Sequence, residues 1–129
     1  MIILIVEDSR PTRNLLKSYV TEILPTHHKI FLEAESGEIA LQMVQNEHLD
    51  LVFLDWNLSD KITGLDVLKK IRETEKFKQI PIIMVSVESD KTNVIEALKH
   101  GLNDFVAKPI DKKSFTEKLL KALNLPKKK

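Results

Sequence analysis

The chain has 129 residues, enough for one domain with an ordinary core. Lys and Arg number 20 against 19 for Asp and Glu, so a formal charge of +1 gives no bulk attraction to nucleic acid or to a membrane surface. Cysteine is absent, which excludes disulfides, thiolate metal sites and thiol nucleophiles together.

Ile2-Ile3-Leu4-Ile5-Val6 opens the chain as an unbroken aliphatic run, the mark of a strand buried on both faces. It is too short to span a membrane and lacks the basic lead of a signal peptide, so a soluble cytoplasmic protein is expected. Ser9 is placed to cap a helix whose first turn holds Arg10 and Pro11, where a missing N–H has no helical partner to lose. Leu15, Leu16, Tyr19, Val20 and Ile23 follow at helical spacing until Pro25. Lys29 to Ala34 reads as a second strand. Ser36-Gly37-Glu38 turns into a helix with Ile39, Ala40, Met43 and Val44 on its inner face. Leu51-Val52-Phe53-Leu54 is the third strand.

Trp56 to Thr63 is a loop of mixed polarity, with Trp56 expected beside the crevice rather than in the core. The loop ends near Gly64, and a third helix carrying Leu65, Val67, Leu68 and Ile71 follows it. Ile80-Pro81 introduces a fourth strand, Ile82 to Val85, with proline where a ladder donor is least missed. Asp90 is placed to cap a helix carrying Val94, Ile95 and Leu98, stopped at Gly101. Phe105-Val106-Ala107 is a fifth strand, and Asp111 caps a last helix with Phe115, Leu119, Leu120 and Leu123. His27, His28, His48 and His100 stand at no metal-ligand spacing and read as surface residues.

Five alternations of strand and helix predict an α/β, doubly wound, five-stranded parallel sheet with helices on both faces. One domain over residues 1–125 and a basic tail at 126–129 are expected. Parallel strands share a direction, so the residues that follow them collect at one edge, where ligands bind in such folds. Those residues are Glu7 and Asp8, Asp55, Ser86 and Lys108. Three carboxylates, a hydroxyl and an ammonium in one crevice suit a divalent cation and a phosphoryl group. An acidic residue at a strand end is ordinarily a turn former or a helix cap. Four such positions agreeing at once outweigh that reading.

With Glu7-Asp8, Asp55, Ser86 and Lys108-Pro109 at these intervals, and Phe105 three residues before the lysine, the chain resembles the receiver domain of two-component response regulators. The single-domain chemotaxis type is closest in layout, and the resemblance spans Met1 to Leu125. It implies a flavodoxin-like sheet of order 2-1-3-4-5. It also implies that Asp55 is the phosphoacceptor, with Mg2+ held by Glu7, Asp8, Asp55 and the backbone carbonyl of Asn57. Ser86 then hydrogen-bonds the phosphoryl group, Lys108 pairs with it, and Phe105 swings inward as a switch. The implied partners are a histidine kinase or phosphotransfer protein and a downstream protein target, without direct contact to nucleic acid or membrane. A monomer, or a weak dimer through the fourth helix, fifth strand and fifth helix, is expected.

Mg2+ prefers oxygen ligands, and an ionised carboxylate attacking phosphorus has no proton to lose, so no general base is required. Clustered carboxylates repel without a cation, so one of them should hold its proton more readily than a free acid.

The chain departs from the family pattern in places. Ser59 stands where a proline is usual four residues after the phosphoacceptor, and the stretch from Asp55 to Gly64 is one residue longer. Leu58 to Thr63 therefore reads as an altered, looser loop. Val87 is bulkier than the small residue usual after Ser86, and Glu88 adds negative charge, so both are read as modulating access to Asp55. An aspartyl-nucleophile phosphatase is a competing class. Its general acid would fall two residues after Asp55, where Asn57 stands. A third class is an interaction domain that is never phosphorylated.

Overall fold

The computed structural model describes residues 1–87 and 90–126. Strands β1 (Ile2–Val6), β2 (Ile30–Ala34), β3 (Leu51–Leu54), β4 (Ile82–Ser86) and β5 (Asp104–Ala107) form one sheet. Helices α1 (Arg10–Ile23), α2 (Gly37–Asn46), α3 (Gly64–Glu73), α4 (Lys91–Lys99) and α5 (Lys112–Ala122) alternate with them. All pairings are parallel, in the order β2-β1-β3-β4-β5. The chain leaves β1 toward β2 and returns to β3 on the other side, so the order reverses between β1 and β3. That is where such a sheet opens its crevice.

Successive residues of a strand face opposite sides, and the core divides accordingly. Leu4, Val6, Val52, Leu54, Ile82 and Met84 pack with Ala40, Val44, Val67, Leu68, Ile71 and Ala97 of α2, α3 and α4. Ile3, Ile5, Phe53, Ile83, Val85 and Val106 pack with Leu16 and Val20 of α1 and with Phe115 and Leu119 of α5. Phe115 holds α5 down, its ring 5.5 Å from that of Phe53. Truncating so buried an aromatic typically costs about 3–5 kcal/mol.

The expected caps are in place. The side chains of Ser9, Asp90 and Asp111 accept from the Thr12, Thr92 and Ser114 N–H groups, and Ser36, not singled out as a cap, accepts from the Ile39 N–H in the same way. Gly101 ends α4 with φ of 96°, a conformation that glycine adopts without steric cost.

The structure corrects the sequence reading at several points. The second strand starts at Ile30, whose N–H donates to the Met1 carbonyl at 2.9 Å, while the Lys29 ammonium donates to the carbonyls of Leu24 and His27 at 2.6 and 2.7 Å. The fourth strand starts at Ile82 as expected but runs one residue further, through Ser86. A short 3-10 turn at Glu75–Phe77, which no periodicity marks, buries Phe77 completely. On α4 it is Ala97 that is buried, whereas Ile95 and Leu98 are 41 % and 46 % exposed. The small side chain lets the helix approach the sheet, and the larger ones to either side are left outward. Trp56 is half-buried and packs against the α2–α4 side of the core, not merely beside the crevice. Phe105 and Ile62 pack against the same side.

The loop over residues 56–63 is fastened rather than loose. Asp60 accepts from the N–H groups of Gly37 and Glu38 at 3.1 and 3.0 Å. Ser59 Oγ donates to the Glu35 carbonyl at 3.2 Å. Thr63 and Asp66 form a reciprocal capping box that starts α3.

Candidate functional site

Val6, Leu54 and Met84 lie level with one another across β1, β3 and β4. The residues just beyond therefore emerge at one rim: Glu7 and Asp8 after β1, Asp55 after β3. On the far side Ser86 pairs with Ala107 of β5, and its carbonyl accepts the Lys108 N–H at 3.0 Å. The Lys108-Pro109 peptide is cis.

Among the described residues, the buried polar side chains are Glu7, Asp55 and Ser86, at 2 %, 5 % and 0 % exposure. All three are rim residues. Carboxylate oxygens of Glu7, Asp8 and Asp55 lie within 4.8 Å of one another, with Asp8 the exposed member. Lys108 Nζ donates to Glu7 Oε1 and, at 2.8 Å, to Asp55 Oδ2. The second oxygens are occupied too: Glu7 Oε2 accepts the Ser9 N–H at 3.0 Å and Asp55 Oδ1 the Asn57 N–H at 3.2 Å.

Burial pushes the Glu7 carboxyl above its ordinary range. The Asp8 and Asp55 carboxylates push it the same way, while Lys108 and the Ser9 N–H oppose without prevailing. Burial alone would lower Lys108, but its hydrogen bonds to Asp55 and Glu7 outweigh that and hold the ammonium above its usual value. Fully ionised, three carboxylates against one ammonium leave excess negative charge at a rim where two of the carboxylates are buried. Hard oxygen donors and that excess charge fit a small divalent cation.

Other predicted residues lie close by in the chain. Phe105 sits on β5 opposite Met84, half-buried, its carbonyl accepting Lys118 Nζ at 2.6 Å. Val87 follows Ser86 and is 66 % exposed. Glu88 lies outside the described residues.

Several residues that support the rim escaped the sequence reading. Arg13 donates through Nη1 to the carbonyls of Glu7 (2.8 Å) and Asp8 (3.3 Å), and through Nε to Glu33 (2.9 Å), which also pairs with Lys17. Its position four residues after the Ser9 cap, one turn into α1, was the available signal. Gly64 approaches the end of β3 so closely that a Cβ there would lie 2.1 Å from the Asp55 carbonyl oxygen. Asp60 is held below the usual carboxylate range chiefly by the Glu38 N–H, with that of Gly37 adding to it.

Known proteins share this architecture. The response regulator receiver domain model matches residues 3–120. A chemotaxis protein CheY homolog from Campylobacter jejuni is 38 % identical over 120 residues, 92 % of this chain and 89 % of that protein. Chemotaxis protein CheY1 of Helicobacter pylori is 37 % identical over 120 residues, 92 % of this chain and 94 % of that protein. Among solved structures, the receiver domain of a sensor histidine kinase from Pseudomonas aeruginosa, with a magnesium ion coordinated in its active-site cleft, superposes with a TM-score of 0.79. It is 20 % identical and covers 95 % of this chain and 97 % of that one, a likeness of fold.

The chain belongs to the response regulator receiver domain family. Within two-component signalling it is a CheY-like receiver.

Proposed function

We propose that Asp55 accepts a phosphoryl group from a phosphohistidine on a kinase or phosphotransfer protein, and that the phosphorylated chain signals through protein contacts. The P–N bond of the donor breaks as a P–O bond to an Asp55 carboxylate oxygen forms. The imidazole leaves and is protonated from solvent. The observation that carries this reading is the gathering of Glu7, Asp8, Asp55 and Lys108 at the rim where strand order reverses.

Glu7, Asp8, Asp55 and the Asn57 carbonyl would hold Mg2+, which when bound offsets the negative charge of the incoming phosphoryl oxygens. A kindred receiver domain carries magnesium in its cleft, and a response regulator of the same fold is known in a Mn2+-bound form. Lys108 already touches Asp55, so its ammonium needs little movement to meet a phosphoryl oxygen. Ser86 supplies a neutral donor. Transfer to phosphorus has a loose transition state with charge spread over the equatorial oxygens, so these fixed positive and donor groups are the catalysis that this chain supplies.

Phe105, half-buried on β5, is the switch: hydrogen bonding of Ser86 to the new phosphoryl group opens room into which its ring turns. A bias of about 1.4 kcal/mol changes such a two-state ratio tenfold, within reach of one or two hydrogen bonds. Output then passes through α4, β5 and α5, where Ile95 and Leu98 are exposed. Val87 and Glu88 modulate access to Asp55. Residues 1–125 act as the receiver unit, ahead of a basic tail at 126–129, in the cytoplasm.

Trp56 is adjacent to Asp55 in the chain and reports on the crevice. Its fluorescence should change on adding Mg2+ and again on adding beryllium fluoride, a phosphoryl mimic, with the second response lost in Asp55→Asn. A wild-type chain unresponsive to both at millimolar concentrations removes the reading.

A further inference from the structure

The family pattern places a proline in the loop after the phosphoacceptor, and this chain has Ser59 there in a loop one residue longer. A longer loop without its stiffening residue should move, and with it the Asn57 carbonyl. The structure shows a different constraint. The Asp60 carboxylate spans two N–H groups at the start of α2, those of Gly37 and Glu38, more than twenty residues away in sequence. Ser36 takes the third free N–H, that of Ile39, so α2 would be capped at one site without Asp60. Ser59 Oγ reaches the Glu35 carbonyl, and Ile62 lies against Gly37 so closely that an added Cβ would sit 2.5 Å from it. Residues 59, 60 and 62 thus grip residues 35–38 as a unit. At the loop's ends the Gly64 N–H closes onto the Trp56 carbonyl at 2.8 Å, and the Asn57 N–H onto Asp55. Asn57 hangs between the two fixed points.

Building on the metal reading above, we infer that Asp60 is a positioning residue for the cation site, clamping the loop on α2 so that the Asn57 carbonyl is already in place when the ion arrives. It touches neither ion nor phosphoryl group. It acts by removing backbone freedom that binding would otherwise have to freeze, and ordering a single residue is worth roughly tenfold in affinity. Partners that orient metal ligands carry effects of about 10–100-fold.

The test is a Mg2+ titration of the full chain, followed by Trp56 fluorescence and by calorimetry, for wild type, Asp60→Ala, Asp60→Asn and Asp8→Asn. The dissociation constant should rise about tenfold in Asp60→Ala. Asp60→Asn, which keeps one acceptor without the charge, should fall between the two. Loss of a nearby negative charge would also weaken cation binding, so the series is repeated at about 1 M KCl, where the screening length is about 3 Å. A positional effect persists there. An Asp60→Ala constant within twofold of wild type, or a deficit that vanishes in high salt, overturns the clamp while Asp8→Asn still shows the site to be real. No Mg2+ response in the wild type overturns both readings together.

Discussion

Replacing Gly64 by alanine separates two effects of opposite sign. In the first turn of an exposed helix, glycine to alanine normally stabilises, by about 0.4–1 kcal/mol, because alanine restricts the unfolded chain more. Gly64 begins α3, but an added Cβ would lie 2.1 Å from the Asp55 carbonyl oxygen and 2.8 Å from both the Asp55 carbonyl carbon and Trp56 Cα. Ordinary contact is about 3.5–4.0 Å, so the start of α3 and the end of β3 must part by more than about 1 Å. Every obstructing atom is backbone, and no rotamer relieves it. Overpacking of this kind costs about 1–3 kcal/mol, and a backbone clash belongs at the upper end. For a domain of this size that lowers the thermal midpoint by roughly 5–15 °C. The shift also moves Asp55, so Mg2+ affinity should fall with stability. Circular-dichroism melts with and without Mg2+ measure both. A midpoint at or above that of wild type would refute the close approach and the argument built on it.

Millimolar Mg2+ should raise the wild-type midpoint, by about 2.7 kcal/mol of stability at 100 times the dissociation constant, and Asp8→Asn should abolish the rise in the same melts. Labelling of Asp55 by a small phosphodonor should speed up in Val87→Ala, and equal initial rates would exclude Val87 as an obstruction. Phe105→Ala should still take the label yet lose any gain in partner affinity on activation; an undiminished gain measured by calorimetry removes the switch. Burial raises the Glu33 carboxyl, but hydrogen bonds from Lys17 and Arg13 outweigh this and hold it below its ordinary value of 4.5. The stability it contributes is therefore present above that value and lost as pH falls through the lower folded value. Glu33→Gln should flatten this part of the acid limb of stability against pH, and an identical limb in both proteins would show the pairs to be inert.

The rim residues were readable because each directly follows an apolar run, and a parallel sheet turns that shared sequence position into a shared place. Helix caps were readable for a similar reason: Ser9, Asp90 and Asp111 act on residues two or three further along. What escaped acts over distance. Asp60 meets Gly37 from 23 residues away in the chain, and nothing in the local pattern of an acidic loop residue distinguishes a long-range clamp from a solvated turn. Arg13 was hidden in the same way, since its partners at the rim are backbone carbonyls with no side-chain signature, and its side-chain partner Glu33 lies twenty residues away. The face of α4 failed for another reason. Its spacing allows two stripes, and the sheet took the one with the smallest residue, Ala97, leaving larger apolar groups outside.

The distribution of buried polarity bears on why the site exists. Elsewhere in the described interior the side chains are apolar, and Glu7, Asp55 and Ser86 meet at one rim. A buried ion pair is poor support for a fold, because desolvation of the charges takes back most of their attraction, and apolar replacements of equal volume are often neutral or stabilising. Here desolvation has already pushed the Glu7 carboxyl above its ordinary range, even with an ammonium hydrogen-bonded to it. Stability alone would favour removing these charges. Their concentration where the strand order reverses agrees with the role proposed above, binding of a cation and a phosphoryl group. Glu7→Gln should accordingly leave the metal-free chain as stable as wild type or more so, while weakening Mg2+ binding, since the amide keeps the shape and sheds the buried charge. A Glu7→Gln chain that melts markedly lower without metal would show Glu7 to be a structural partner of Lys108 first, and would reverse this ordering of causes.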